Sequence, residues 1–207
     1  MLVYRPRAPV SSDRAAVFVD RDGVINELVP DPVSGRSESP LRVNDVRLIP
    51  GAAAALRALT EAGWRLVGVS NQPSAAKGLM ALNDLQAIQA RVLELLASEG
   101  AHFDDFRLCL HHPEGVVREL AGECDCRKPA PGMLLAAADE LDLDLGRSWM
   151  IGDTDGDVQA GRAAGCRTIL VEHRDSAHKR TAELSPDAIV RDLTAAAGII
   201  LATKGVH

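Results

Sequence analysis

The stretch AAVFVDRDGVIN, Ala15–Asn26, runs five apolar residues straight into two aspartates two positions apart, with a glycine after the second. A short apolar run of this kind, partly β-branched and closed by turn residues, predicts a buried strand. Four more runs read the same way: RLVGVS (65–70), FRLCL (106–110), SWMIGD (148–153) and RTILV (167–171). Helical patterns lie between them: GAAAALRALTEAG, ALNDLQAIQARVLELLASEG, PGMLLAAADELDL and DGDVQAGRAAG. A weaker strand–helix pair, AIVRDLTAAAGIIL, follows. This alternation predicts an α/β fold, a doubly wound and mostly parallel sheet with helices on both faces and right-handed crossovers. Ligands of such sheets bind beyond the carboxyl ends of the strands. The polar clusters DRDG, SNQ, HH and GDTDGD each fall where a predicted strand ends.

The 207 residues are 46% hydrophobic and 25% charged, as in a soluble globular protein, with 3% aromatics, so the core is expected to be Ala, Leu, Val and Ile. One domain is expected over 15–207, after a flexible arm over 1–14. No apolar run approaches the roughly 20 residues that span a bilayer. The segment MLVYRPRAPVSSDR carries no apolar stretch of signal-peptide length, so a cytoplasmic setting with reduced thiols is expected. The net charge of −6 argues against a nucleic-acid partner. A monomer acting on a small molecule is expected, and an anionic ligand would need positive charge gathered locally.

A lone D-x-D-G is most often an Asx turn. Its chemical reading makes Asp20 a nucleophile, ionised at neutral pH without help, and Asp22 a general acid and base whose pKa is raised toward neutrality. Asp153, Asp155 and Asp157 follow another strand. Carboxylates gathered at two strand ends suit Mg2+, although Asp155 at least also suits a helix N-terminus. Ser70, Asn71 and Gln72 offer donors to a phosphate oxygen, and Arg127 and Lys128 bring the local positive charge. Together, in this order, these pieces resemble the haloacid dehalogenase (HAD) superfamily of phosphohydrolases. The resemblance implies Asp20 as the residue forming an aspartyl-phosphate and Asp22 as acid and base. It further implies Ser70 and Lys128 as phosphoryl holders, with Asn71 and Arg127 beside them. Mg2+ would lie on Asp20, Asp153 and the backbone carbonyl of Asp22, with Asp157 as an outer carboxylate.

The cysteines form Cys109-x-His111, a twelve-residue insert, then Cys124-x-Cys126. A disulfide is not expected in the cytoplasm, and the C-x-x-C redox spacing is absent. Three thiols and a histidine in one polar segment fit a closed tetrahedral Zn2+ site, with His112 as a competing ligand. Cys166 reads as an ordinary buried thiol. The segment CLHHPEG…CDCRKPAPGM looks like the zinc loop of the HAD subgroup of D-glycero-D-manno-heptose 1,7-bisphosphate and histidinol-phosphate phosphatases. That resemblance implies a structural zinc, a loop over about 109–127 ordered by it, and a Mg2+-dependent phosphatase without a large cap. The expected reaction removes the 7-phosphate of a heptose 1,7-bisphosphate, with histidinol phosphate as the alternative substrate. Pro73 and Ser74 stand where the subgroup has Ser-Gly. Arg36, Arg42 and Lys77 are candidates for a distal phosphate, and solvated surface charges are the simpler reading of each. A receiver domain would leave Asp22 and the cysteines unexplained. A phosphomutase would need a cap, and only about 50 residues separate Asp20 from Ser70.

Overall fold

The computed structural model describes residues 1–5, 14–31, 35–181 and 184–204. Its main sheet has seven strands: β1 (Leu2–Tyr4), β2 (Ala16–Val19), β5 (Arg65–Asn71), β6 (Asp105–Cys109), β7 (Trp149–Gly152), β8 (Arg167–Val171) and β9 (Ala188–Val190), in the order β1-β6-β5-β2-β7-β8-β9. A separate pair, β3 (Val29–Pro30) and β4 (Ser37–Glu38), forms a small antiparallel hairpin in the first long loop. Helices α1 (Ala52–Glu61), α2 (Leu82–Ser98), α3 (Gly132–Leu141), α4 (Asp155–Ala164) and α5 (Leu193–Lys204) fill the crossovers. The expected α/β fold is present, and the strands and helices fall within a few residues of their sequence positions.

Successive side chains of a strand face opposite ways, and β2 obeys that rule. Val17 and Val19 join one apolar cluster with Leu56 and Leu59 of α1, Ile88 and Val92 of α2 and Ile200 of α5. Ala16 and Phe18 join the other, with Met133 and Ala137 of α3 and Ala160 of α4. β2 therefore has helices on both faces and no polar side to show solvent. It pairs in parallel with β5 and with β7. After β2 the chain winds out to β5 and β6, then returns to start β7 on the other flank. The direction of winding changes at β2, and Asp20 leaves its carboxyl end at that switch point.

The amino-terminal segment differs from expectation. Leu2–Tyr4 is an edge strand, antiparallel to β6, with Leu2 paired to Leu108 and Tyr4 to Phe106. Leu2 and Tyr4 pack on the first cluster while Val3 faces out, and the strand satisfies the otherwise open edge of β6. Arg5 then pairs with Asp105 and Glu140. Residues 6–13 of the expected arm lie outside the described residues. Among the described residues no helix is long and apolar enough to cross a membrane.

Candidate active site

Asp20 continues the parallel ladder by donating its N–H to Ile151 O at 2.9 Å. Its Oδ1 lies 2.9 Å from Lys128 Nζ, and the same ammonium lies 2.6 Å from Asp157 Oδ1. Lys128 also donates to Val69 O at 2.8 Å. Burial would lower the proton affinity of this lysine, but Asp157 and Asp20 hold it above the ordinary value, so it keeps its charge. Asp153, just past β7, is 1% exposed, and its Oδ1 has no hydrogen-bond partner among the described residues. One carboxylate oxygen each from Asp20, Asp153 and Asp157 lie within 4.8 Å of one another.

Burial pushes Asp20 up to about 6 against the pull of Lys128, and Asp157 adds to the rise. Burial, then Asp20 and Asp157, drive Asp153 well above the ordinary carboxylate range. Three buried carboxylates, only two of them paired to the one ammonium, leave negative charge uncompensated. Hard oxygen donors with an orphaned oxygen among them fit a divalent cation such as Mg2+.

Two glycines make the approach possible. Gly23 has φ +86, and a Cβ there would come within 2.2 Å of Asp153 Oδ2. A Cβ on Gly152 would meet the Asp157 Cβ at 2.1 Å. Asp157, rather than Asp155, closes the start of α4: its Oδ2 accepts the Thr154 N–H at 3.0 Å and the Thr154 hydroxyl at 2.6 Å. Asp155 instead accepts the Thr181 N–H at 2.6 Å.

Asp22 departs from the sequence reading. Its carboxylate accepts from Arg21 Nε and Nη2 at 3.1 and 3.0 Å, from Asn26 Nδ2 at 2.8 Å, from Ser39 Oγ at 2.8 Å and from Gln72 Nε2 at 2.5 Å. Burial alone would raise its pKa, but the Arg21 guanidinium and these hydrogen bonds outweigh burial and hold it below the usual carboxylate value. The resting group is thus an anion, not the near-neutral acid expected. Arg21 is the residue that sequence reasoning missed. It sits between the two aspartates of DRDG, is wholly buried, and is steadied by Gln89 Oε1 of α2 at 3.1 Å.

The other expected residues converge here with altered parts. Ser70, one residue before the end of β5, accepts from Gln72 Nε2 at 3.0 Å. Asn71 commits both ends of its amide to the Lys128 backbone, donating to its carbonyl at 2.9 Å and accepting its N–H at 3.0 Å. It lines the cleft as well, but both polar ends of its side chain are spent on positioning the lysine. Arg127 lines the cleft and donates to His111 O at 3.3 Å.

At the end of β6 the second cluster forms. Cys126 Sγ lies 3.3 Å from Cys109 Sγ and 3.4 Å from Cys124 Sγ, and Cys109 and Cys124 are 3.6 Å apart. His111 Nδ1 is 3.4 Å from Cys126 Sγ and 3.8 Å from Cys109 Sγ. These separations exceed a disulfide bond of about 2.05 Å. They approach the edges of a tetrahedron, about 3.8 Å between sulfurs when metal–sulfur bonds are about 2.3 Å. The four residues therefore fit a tetrahedral metal. His112 is turned elsewhere, accepting the Glu114 N–H at 3.1 Å. Cys166 lies in the second apolar cluster, where burial pushes its thiol up to about 12.

A cleft of about 1000 Å3 opens over Asp20, Asp22 and Lys128. Arg36, Arg42 and Lys77 all line it, as does Lys179, whose Nζ meets Glu38 Oε2 of the hairpin at 2.9 Å.

The sequence profile of the HAD-hydrolase-like family matches residues 125–196. The D-glycero-D-manno-heptose-1,7-bisphosphate 7-phosphatase of Thermosynechococcus vestitus is 42% identical over 193 residues, covering 88% of this chain and 93% of its own. The D-glycero-beta-D-manno-heptose-1,7-bisphosphate 7-phosphatase of Rhodopseudomonas palustris is 40% identical, covering 78% and 86% respectively. Among solved structures, the D,D-heptose 1.7-bisphosphate phosphatase of B. bronchiseptica, complexed with magnesium and phosphate, superposes with a TM-score of 0.76. It is 30% identical, over 91% of this chain and 99% of that one.

Proposed function

The chain belongs to the heptose-bisphosphate phosphatase family of HAD-like hydrolases, and from that membership we propose that it removes the 7-phosphate of a D-glycero-D-manno-heptose 1,7-bisphosphate. The observation that carries the chemistry is the buried Asp20–Lys128–Asp157 array beside Asp153, at the floor of a cleft rimmed by cations.

In the first half-reaction an Asp20 carboxylate oxygen bonds to phosphorus. The phosphorus–oxygen bond to the sugar breaks, its electron pair stays on the sugar oxygen, and Asp22 supplies the proton. In the second half Asp22 takes a proton from water, the resulting hydroxide attacks the aspartyl-phosphate, and Asp20 leaves as a carboxylate. Each turnover thus returns to Asp22 the proton it gave away. The resting anion fits the base role. An entering phosphate dianion opposes Arg21 and favours the protonated form needed for the acid role. Lys128 and the Ser70 hydroxyl hold phosphoryl oxygens, and Asn71 keeps the lysine in register. Mg2+ on Asp20, Asp153 and the Asp22 carbonyl would neutralise the transferred group and keep the carboxylates ionised. Zn2+ on Cys109, His111, Cys124 and Cys126 would fix the loop that leads into Arg127 and Lys128.

The test is Mg2+-dependent phosphate release, comparing both heptose 1,7-bisphosphate anomers with histidinol phosphate and fructose 1,6-bisphosphate. A kcat/KM at least about a hundredfold higher for one heptose anomer is expected, equivalent to about 2.7 kcal/mol of transition-state discrimination. Equal turnover of all four would overturn the substrate, and preference for histidinol phosphate would replace it.

A further inference from the structure

Adjacent residues at the end of the β3–β4 hairpin reach in two directions. Glu38 pairs with Lys179, which belongs to the turn after β8, while Ser39 donates to Asp22 Oδ2 at 2.8 Å. The other donors to that carboxylate, Arg21, Asn26 and Gln72, are nearly or wholly buried at the ends of the sheet. Their burial ties them to the sheet rather than to the hairpin. Ser39 is half-buried, lines the cleft, and is the one donor among the described residues that the hairpin carries. It differs in chemistry too. Arg21, Asn26 and Gln72 present only N–H donors to Asp22, whereas a hydroxyl both donates and accepts. That suits the partner of a carboxyl that gives a proton and later takes one back.

We propose that Ser39 is a positioning residue for Asp22, holding its carboxyl where it delivers the proton to the leaving oxygen. The proposal rests on the reading of Asp22 as general acid. It makes acid assistance depend on a contact built from the substrate side of the cleft. Without that contact a substrate would still be held by Asp20 and Lys128, and would lose only the help given to a poor leaving group.

The readout is therefore the leaving group. A sugar alkoxide needs a proton as it departs, whereas p-nitrophenolate departs without one, so single-turnover release with enzyme in excess isolates the first half-reaction. Ser39→Ala is expected to slow release from heptose 1,7-bisphosphate by roughly tenfold, a fraction of the 10²–10⁴-fold a placed proton donor supplies. Release of p-nitrophenolate from p-nitrophenyl phosphate should stay within about twofold, and Ser39→Thr should restore most of the loss. Equal losses on both substrates, or no loss on either, would overturn the proposal. Asp22→Ala serves as the reference. If it fails to separate the two substrates, the acid role falls and the proposal with it. If it separates them and Ser39→Ala does not, only the role of Ser39 falls.

Discussion

Two ligand clusters sit at the same edge of the sheet and are built in opposite ways. Cys109, His111, Cys124 and Cys126 come from one 18-residue segment, and their sulfurs already stand 3.3–3.6 Å apart. The oxygen cluster draws Asp20 from just past β2, Asp153 from just past β7 and Asp157 from α4, and leaves one buried oxygen of Asp153 without a partner among the described residues. Soft thiols packed to near-tetrahedral spacing describe a closed site, whose use is to hold a loop. Hard carboxylates crowded in a cleft and short of positive charge describe an open one, whose use is to bring charge against a phosphoryl group. Cys126, Arg127 and Lys128 are consecutive, so the closed site leads straight into the open one. Zinc affinity and phosphatase rate should therefore be linked, though unequally.

The strongest way to break this contrast is Asp20→Asn. Turnover should fall by about 10⁴-fold or more, since the proposed nucleophile is gone. The same substitution should raise the melting temperature of the metal-free protein, because a crowded carboxylate is neutralised. Calorimetry on the chelated protein reads this; a lower melting temperature would mean the carboxylates are not strained.

Lys128→Met should cost about 10²–10³-fold in kcat and destabilise the fold by roughly 3 kcal/mol, since Asp157 loses its buried partner. Denaturant unfolding and steady-state kinetics measure the two losses separately.

Stripping the thiol cluster with a chelator, then resupplying Mg2+ alone, should leave about a tenth of the activity, consistent with metal binding supplying folding energy to the loop. Limited proteolysis should now cut between residues 112 and 123. Full activity with an uncut loop would show the two clusters to be independent.

The pH dependence of metal-free stability sharpens the same point. Asp20 has its folded pKa raised to about 6, above the unfolded value near 4, so its protonated form stabilises the fold. That contribution is complete below the unfolded value and is lost as pH rises through about 6, on the order of 2–3 kcal/mol. The melting temperature should fall between pH 5 and 7, and Mg2+ should flatten the profile. A profile already flat without metal would contradict the crowding.

The smallest effect is expected at Asn71→Ala, about three- to tenfold in kcat with KM nearly unchanged, because Lys128 keeps its ion pairs and loses only its backbone tether. A large rise in KM would return Asn71 to direct substrate contact.

Much of this was readable before any coordinate. Strand runs closed by DRDG, SNQ and GDTDGD place the carboxylates and the serine at one edge, because parallel strands all present their carboxyl ends to the same side. The thiol cluster was readable for a simpler reason, since all four ligands lie within one short segment. The edge strand Leu2–Tyr4 was not, because three residues carry too little pattern to tell a strand from an arm, and β6 supplies the reason for it to form. Asp22 lies in the cleft at the strand end, while its charge state follows from neighbours that the sequence does not announce. Its five hydrogen bonds come from residues 21, 26, 39 and 72, and no periodicity forecasts which donors will converge on one carboxylate.

The sequence by itself determined the sheet, the strand ends and the chemical types gathered there, since these follow from periodicity and from residue chemistry along the chain. Only the tertiary structure decided which way each group faces and what it pays to be charged. Asp157 caps a helix and pairs a lysine, Asn71 tethers that lysine, Glu38 meets Lys179 from 141 residues away, and Asp22 is held as an anion. Such properties depend on distance and burial among residues remote in sequence, and those are set only when the chain closes on itself.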